Sequence, residues 1–363
     1  MHYPSPSIPN SPQLFTLYAL PRWIYNVNAN AIYHYTPHLR LPSKGEVGVS
    51  RYGCRADTRN RGEGMEGEKV RVAAFEVAES MPELNKPYVF AILRPWIDVN
   101  HVGTLVLREL ETQFDAKELA RLAQPGRFFD FTRYRPTLYL EEGIRKVSVP
   151  NVTFRYARRE GGNDLLFLNL LEPHALSEVY VDSVLKLLKL LGAKRYVLLG
   201  SMYDVVPHTR PLIVNGGALG RGAHEDLEKS GAMQSRYQGP TSITTLITQK
   251  APELGIETNW FIVSLPQYVE LEEDYLGKVR LMEVLNLLFR IPINEKDFER
   301  ALEQRNLINQ RVERAPELKN LLPQLETMYE VRIKSKEGER LPKLSSEVEE
   351  ILWKIMGKDF GKA

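Results

Sequence analysis

The chain of 363 residues has a single cysteine, Cys54. One thiol can form no internal disulfide and cannot build a multi-cysteine zinc site. A reducing, cytoplasmic compartment is the expected setting. Long apolar runs are missing as well. None approaches the ~20 residues that cross a bilayer, so no membrane role is expected. The opening stretch, MHYPSPSIPNSPQLF, lacks a basic region followed by an apolar core, so it does not read as a signal peptide. Charge imbalance is absent too: 48 basic and 46 acidic residues give a net charge of +2. That balance argues against coating nucleic acid or a membrane surface, which needs a concentrated basic face.

Several signatures of chemistry are also lacking. There is no G-x-S-x-G elbow and no Gly-Lys-Ser/Thr phosphate loop. GGALGRGAHE (216–225) has glycines but not the G-x-G-x-x-G spacing, and reads as a mobile loop. Asp98 and His101 are too few for a metal centre. No metal and no cofactor is therefore expected, and the balance leans away from an enzyme.

What is present is an ordinary globular composition, 43% hydrophobic and 26% charged. Residues 1–66 are rich in Pro, Ser, Asn, Arg and Gly without apolar periodicity, and read as an irregular extension. Residues 67–293 read as an α/β core. PYVFAIL (87–93), DLLFLNLL (164–171), RYVLLG (195–200) and TNWFIVSLP (258–266) are apolar runs of strand length. PTLYL, KVSVP and VTFRYA add strands between 136 and 157. Helices are expected at 104–113, at 176–192 with Gly192 as its stop, and at 241–255. Apolar strands alternating with amphipathic helices imply a mostly parallel sheet covered on both faces. Residues 294–363 read as charged helices, with Phe298, Leu302 and Val312 as the apolar stripe of the first.

In open parallel sheets, ligands bind beyond the carboxyl ends of the strands. Three such ends carry polar groups: Arg94, Trp96, Asp98 and His101; then Asp204, Pro207, His208, Thr209, Arg210 and Pro211; then Pro266, Gln267 and Tyr268. Two readings stay open. His208 is a general base, oriented by Asp204 or Asp98 and set beside the charge of Arg210. Alternatively, the donors of His208, Thr209 and Arg210 tie a loop wedged between two prolines. GPTSITT (239–245) opens a helix and offers free amides to an anion, or is capped by Thr241 or Ser242. FFDFTRYR (128–135) reads as a buried edge or protein interface.

These motifs together resemble the proteasome assembly chaperone 2 family in its bacterial and archaeal branch. The match runs in family order through RPWIDVNHVG (94–103), RYRPTLYL (133–140), DLLFLNLLEP (164–173), DVVPHTRP (204–211), RYQGPTSI (236–243) and SLPQYVE (264–270). The signature positions are Trp96, Asp98, Pro207, His208, Thr209, Arg210, Pro211, Tyr237, Gly239, Pro240, Thr241, Pro266, Gln267 and Tyr268. The resemblance implies a three-layer α/β/α sandwich similar to nucleoside phosphorylases and hydrolases. It also implies a homo-oligomer without established catalysis, and proteasome-like subunits as protein partners. Two features depart from the family pattern: Gln267 stands where many members have His, and KDFGKA lacks a hydrophobic–Tyr–any ending. The alternative is a nucleoside or sugar-phosphate binder, or a phosphorylase- or hydrolase-like enzyme, using a His–Asp–Arg cluster in which His208, with Asp204 or Asp98, is the acid–base group, Arg210 the anion anchor and Gly239–Ser242 the phosphate seat.

Overall fold

The computed structural model describes residues 70–77 and 81–335. The expected extension at 1–66 and the candidate helix SSEVEEILWKIMG lie outside the described residues. Ten strands form one sheet. Its centre is the set of apolar runs: β8 (Leu165–Leu171), β3 (Tyr88–Arg94), β9 (Arg195–Asp204) and β12 (Glu257–Pro266). These four neighbours are parallel. The expectation of a mostly parallel sheet needs correcting outside that centre. β1 (Val70–Val72), β2 (Phe75–Val77), β4 (Lys117–Leu122) and β7 (Thr153–Ala157) all join antiparallel. So does β10 (Val214–Leu219) against β12, while the short β11 (Met233–Gln234) joins β10 in parallel. The full order is β1-β2-β4-β7-β8-β3-β9-β12-β10-β11, and the sheet is mixed. Short connections account for the antiparallel pairs β1–β2 and β7–β8, whereas β2–β4, β4–β7 and β10–β12 pair antiparallel across longer excursions and the parallel centre needs crossovers.

Period-two alternation places the side chains of each central strand in two separate cores. Val89, Ala91 and Leu93 of β3 join one core, with Tyr180, Val184 and Leu188 of α2 (Ser177–Leu190) and Ile247 of α4 (Ile243–Lys250). Phe90 and Ile92 join the other. That second core holds Val106 and Leu110 of α1 (Val102–Gln113), Leu227 of α3 (Arg221–Ser230) and Leu281 and Leu285 of α5 (Tyr275–Phe289). Phe128 and Phe129 pack on Tyr180, so the aromatic half of FFDFTRYR is core.

GGALGRGAHE is not a loop: its first residues are β10 and its last are α3. The glycines serve packing. Gly217 pairs with Trp260, and a Cβ on Gly217 would lie 1.9 Å from the indole. β9 also runs on to Asp204, because Ser201–Asp204 pair with Val263–Pro266 of β12. The polar letters SMYD conceal that extension.

β5 (Thr137–Glu141) and β6 (Ile144–Ser148) form a separate two-stranded hairpin, exposed at every residue. After β12 and α5 come α6 (Glu295–Glu313) and α7 (Pro316–Lys334). The α6 stripe is not the one expected. Phe298 and Leu302 are exposed, and Asp297, Ala301, Ile308 and Val312 are buried. Asp297 turns inward because it meets Lys278 of α5, whose Nζ lies 2.6 Å from Oδ2. Among the described residues no helix is long and apolar enough to cross a membrane.

Candidate functional site

Because β3, β9 and β12 are neighbours and parallel, their carboxyl ends share one rim. The segment after β3 crosses the end of β9 closely. The Ser201 amide donates to the Ile97 carbonyl at 2.9 Å. A Cβ on Gly200 would stand 2.4 Å from that oxygen, so only glycine fits. Asp98 is buried and works locally: its carboxylate accepts from the Thr104 amide at 3.0 Å and from the Thr104 hydroxyl. These bonds fix the first turn of α1. Burial pushes the Asp98 carboxyl up, against the lowering effect of the Thr104 bonds. Trp96 is half-buried against the α2-side core.

The 204–211 loop is held from two directions. From the turn after β12 comes Tyr268, whose hydroxyl accepts the His208 amide at 2.8 Å and lies 2.8 Å from His208 Nδ1. Ser264 donates to Asp204 Oδ2 at 2.7 Å. From α7 comes a row of polar groups one or two turns apart. Thr209 donates to Glu326. Arg210 reaches Glu326 at 3.3 Å and Glu330 at 3.2 Å. Tyr329 donates to the Pro211 carbonyl at 2.9 Å. Arg332 Nη1 donates to Asp204 Oδ2 at 2.7 Å.

Leu321 and Leu325 of α7 pack on Val205 and Tyr268, which dries the contact. His208 is only 7% exposed. Burial lowers its pKa, and Arg305 lowers it further, while Asn309 and Glu326 oppose. Those are its electrostatic neighbours. Asp204 faces Arg332 and Ser264, and Asp98 faces Thr104, so neither carboxylate orients the imidazole.

A cavity of about 190 Å³ opens beside the loop, lined by His208, Arg210, Pro266, Arg280 and Arg305 among others. The signature residues Asp98, Asp204, Tyr237 and Gln267 do not line it. Gln267 is half-buried on the rim. Arg210 is engaged by α7, and Arg280 by Glu283 and the Leu212 carbonyl.

The Tyr237–Thr241 segment stands apart and exposed, with the Tyr237 hydroxyl donating to the Pro240 carbonyl at 2.7 Å. Neither Thr241 nor Ser242 caps α4. Thr241 bonds Thr245, and Ser242 bonds Thr244. The Ile243 amide instead donates to Glu172, at the end of β8, at 2.9 Å. A carboxylate of the chain itself occupies the place an anion would take. Burial raises Glu172 to about 7, despite the lowering effect of that bond. Sequence reasoning passed over Glu172, and over Glu326 and Glu330. The latter two, four apart on one helix, share a face by the 3.6 period, which was the available signal.

The profile of the PAC2 family matches residues 92–312. The chain belongs to the PAC2 family. α7 lies beyond the end of that match. A PAC2 family protein from Streptomyces avermitilis has the same fold at TM-score 0.57 and 23% identity, covering 62% of this chain and 95% of that one. A Mycobacterium tuberculosis protein of unknown function aligns at TM-score 0.64 and 22% identity, over 74% of this chain and 93% of its own. A proteasome-assembly chaperone homologue, also from Mycobacterium tuberculosis, aligns at TM-score 0.57 and 20% identity, over 64% and 98% respectively. At such identities the structural likeness establishes the PAC2 fold and no more. No curated protein matches the sequence.

Proposed function

We propose that the chain is a non-enzymatic, cytoplasmic, homo-oligomeric protein that acts in protein assembly, with proteasome-like subunits as its partner class. The observation that carries this reading is the spent chemistry of the signature loop. Asp204, Thr209 and Arg210 are engaged by Arg332, Glu326 and Glu330, and His208 by Tyr268. A general base needs a free partner and access to substrate. These groups instead shape a rim. Family membership, and the description of the Mycobacterium tuberculosis neighbour as a proteasome-assembly chaperone homologue, support the same role. We also read residues 67–293 as a three-layer sandwich of the nucleoside-phosphorylase kind and 294–363 as a helical region. The two cores on opposite sheet faces support that reading.

The exposed hairpin supports self-association. Leu138 and Leu140 share one of its faces with Val147, and they are 61%, 70% and 61% exposed. An isolated two-stranded hairpin is marginal in water. A second copy meeting it about a two-fold axis buries the same patch on both sides. Light scattering of the full chain at micromolar concentration tests the oligomer, and co-elution with purified proteasome α-subunits tests the partner. A monomer that leaves α-subunit assembly unchanged overturns the reading.

A second reading, a small-molecule binder at the His208 cavity, is favoured by the convergence of Arg210, Arg280 and Arg305 there. A thermal-shift screen with nucleosides and sugar phosphates tests it. Equal responses from the wild type and His208→Ala remove His208 from that role.

A further inference from the structure

On the sheet face beneath α1, the apolar pattern breaks. Phe90 and Ile92 of β3 are followed on the same face by Arg94, and Phe167 of β8 is followed by Asn169. Thr153 and Arg155 of β7 pair with Asn169 and Phe167 and share that face. Ile92, Arg94, Asn169, Thr153 and Arg155, with Arg108 and Glu111 of α1, line a cavity of about 160 Å³.

The charges do not balance inside it. Arg155 pairs with Glu111 at 3.5 Å. Among the described residues Arg108 forms an ion pair with Glu273, at 3.8 Å and largely in solvent, where a pair is weak, and acts on Glu111 at longer range. Arg94 Nε donates to Asn169 Oδ1 at 2.8 Å. No carboxylate among the described residues forms an ion pair with Arg94, although Asp98 and Glu111 act on it at longer range. Burial lowers the Arg94 pKa, yet a guanidinium stays charged. Its desolvation is therefore poorly compensated by the chain itself. This differs from the His208 cavity, where Arg210 and Arg280 already have acidic partners.

The cavity also sits where an α/β sheet collects ligands. β3 and β8 are adjacent and parallel. The chain leaves β3 through α1 on one face and leaves β8 through α2 on the other. Carboxyl ends at such a switch of direction form a crevice. Its volume is below the ~300 Å³ of pockets that enclose a drug-sized ligand, so it suits a charged group rather than a whole molecule.

We propose that this cavity is a binding site for a tetrahedral oxyanion, either inorganic phosphate or the phosphoryl end of a small metabolite. Arg94 and Arg155 are its anchors, and the Thr153 hydroxyl and Asn169 amide its neutral donors. Planar guanidinium forks match such an anion in two-point contact. Glu111 holds Arg155 while the site is empty and releases it to the anion. This inference is independent of the assembly reading.

The test is a thermal-shift and calorimetric titration of the full chain at constant ionic strength, with phosphate, ribose 5-phosphate and chloride as probes. Saturable binding of phosphate or ribose 5-phosphate, absent with chloride, is expected. Arg94→Gln and Arg155→Gln should each weaken it at least tenfold. Arg155 is half-exposed, so its variant decides the question if Arg94→Gln fails to fold. Binding of ribose 5-phosphate ten times tighter than phosphate assigns the site to a metabolite, and equal binding assigns it to the free ion. No saturable binding, or binding untouched by Arg155→Gln but lost in Arg210→Gln, overturns the proposal.

Discussion

Arg332 Nη1 lies 2.7 Å from Asp204 Oδ2, and Arg332 Nη2 donates to Asn215 Oδ1 at 3.1 Å. One guanidinium thus clamps the end of β9 and the start of β10 to α7. Hydrogen bonds to charged groups contribute about 1.5–3 kcal/mol each when largely buried. Arg332→Ala should lower the urea midpoint by the equivalent of about 2 kcal/mol. Arg332→Lys should recover less than half, because an ammonium cannot span both acceptors. An unchanged midpoint in Arg332→Ala would show that α7 docks without this clamp.

Gly217 and Trp260 make a second clear case. Gly217→Ala places a methyl inside the indole, and overpacking of this kind costs roughly 1–3 kcal/mol. Adding Trp260→Leu should recover part of the loss by making room. Thermal melts of the single and double variants measure the coupling. Additive losses would place the strain elsewhere.

Glu172 predicts a pH dependence. Its folded pKa, about 7, is raised above that of a free carboxyl, so the folded state favours the protonated form. Its stabilising effect is complete below the unfolded pKa and is lost as pH rises through about 7. Glu172→Gln keeps an acceptor for the Ile243 amide without the charge. The variant should gain on the order of 1 kcal/mol over wild type at pH 8, after discounting for solvent screening, and nothing at pH 4. His208 runs the other way. Its pKa is lowered, so its share of stability is present above the unfolded value and lost as pH falls below it. Chemical denaturation at four pH values separates the two, since only the first is removed in Glu172→Gln.

The hairpin offers a surface test. If the proposed self-association runs through the hairpin, Leu138→Asp with Leu140→Asp should shift the chain toward monomer in light scattering while leaving the melting temperature within a few degrees. Both side chains are more than 60% exposed. A monomer that melts much lower would mean the hairpin folds back on its own subunit.

The four central strands were legible because continuous apolar runs such as FAIL and LLFL have no other home than a sheet buried on both faces. The edges were not. KELARL carries three charges in six residues and becomes β4 only by pairing with β2 and β7. GGAL looked like a loop because its small residues answer to Trp260, forty-three positions beyond Gly217. On the rim, the composition of PHTRP announced a need for hydrogen-bond partners but not their source. That source is Glu326, Glu330 and Arg332, on a helix whose mixed charges read as an ordinary solvated face. Period alone also misplaced the α6 stripe, since one buried ion pair, Lys278 with Asp297, outweighed two exposed apolar residues.

The bonds that tie the signature loop to α7 join residues 116 to 128 positions apart. Synthesis proceeds from the amino end, so the strands leave the ribosome well before α7 does. Until α7 is made, Arg210 lacks Glu326 and Glu330, and Asp204 has Ser264 but lacks Arg332. The α7 side of the rim therefore matures late, and a chain clipped before α7 presents polar groups that the longer one conceals.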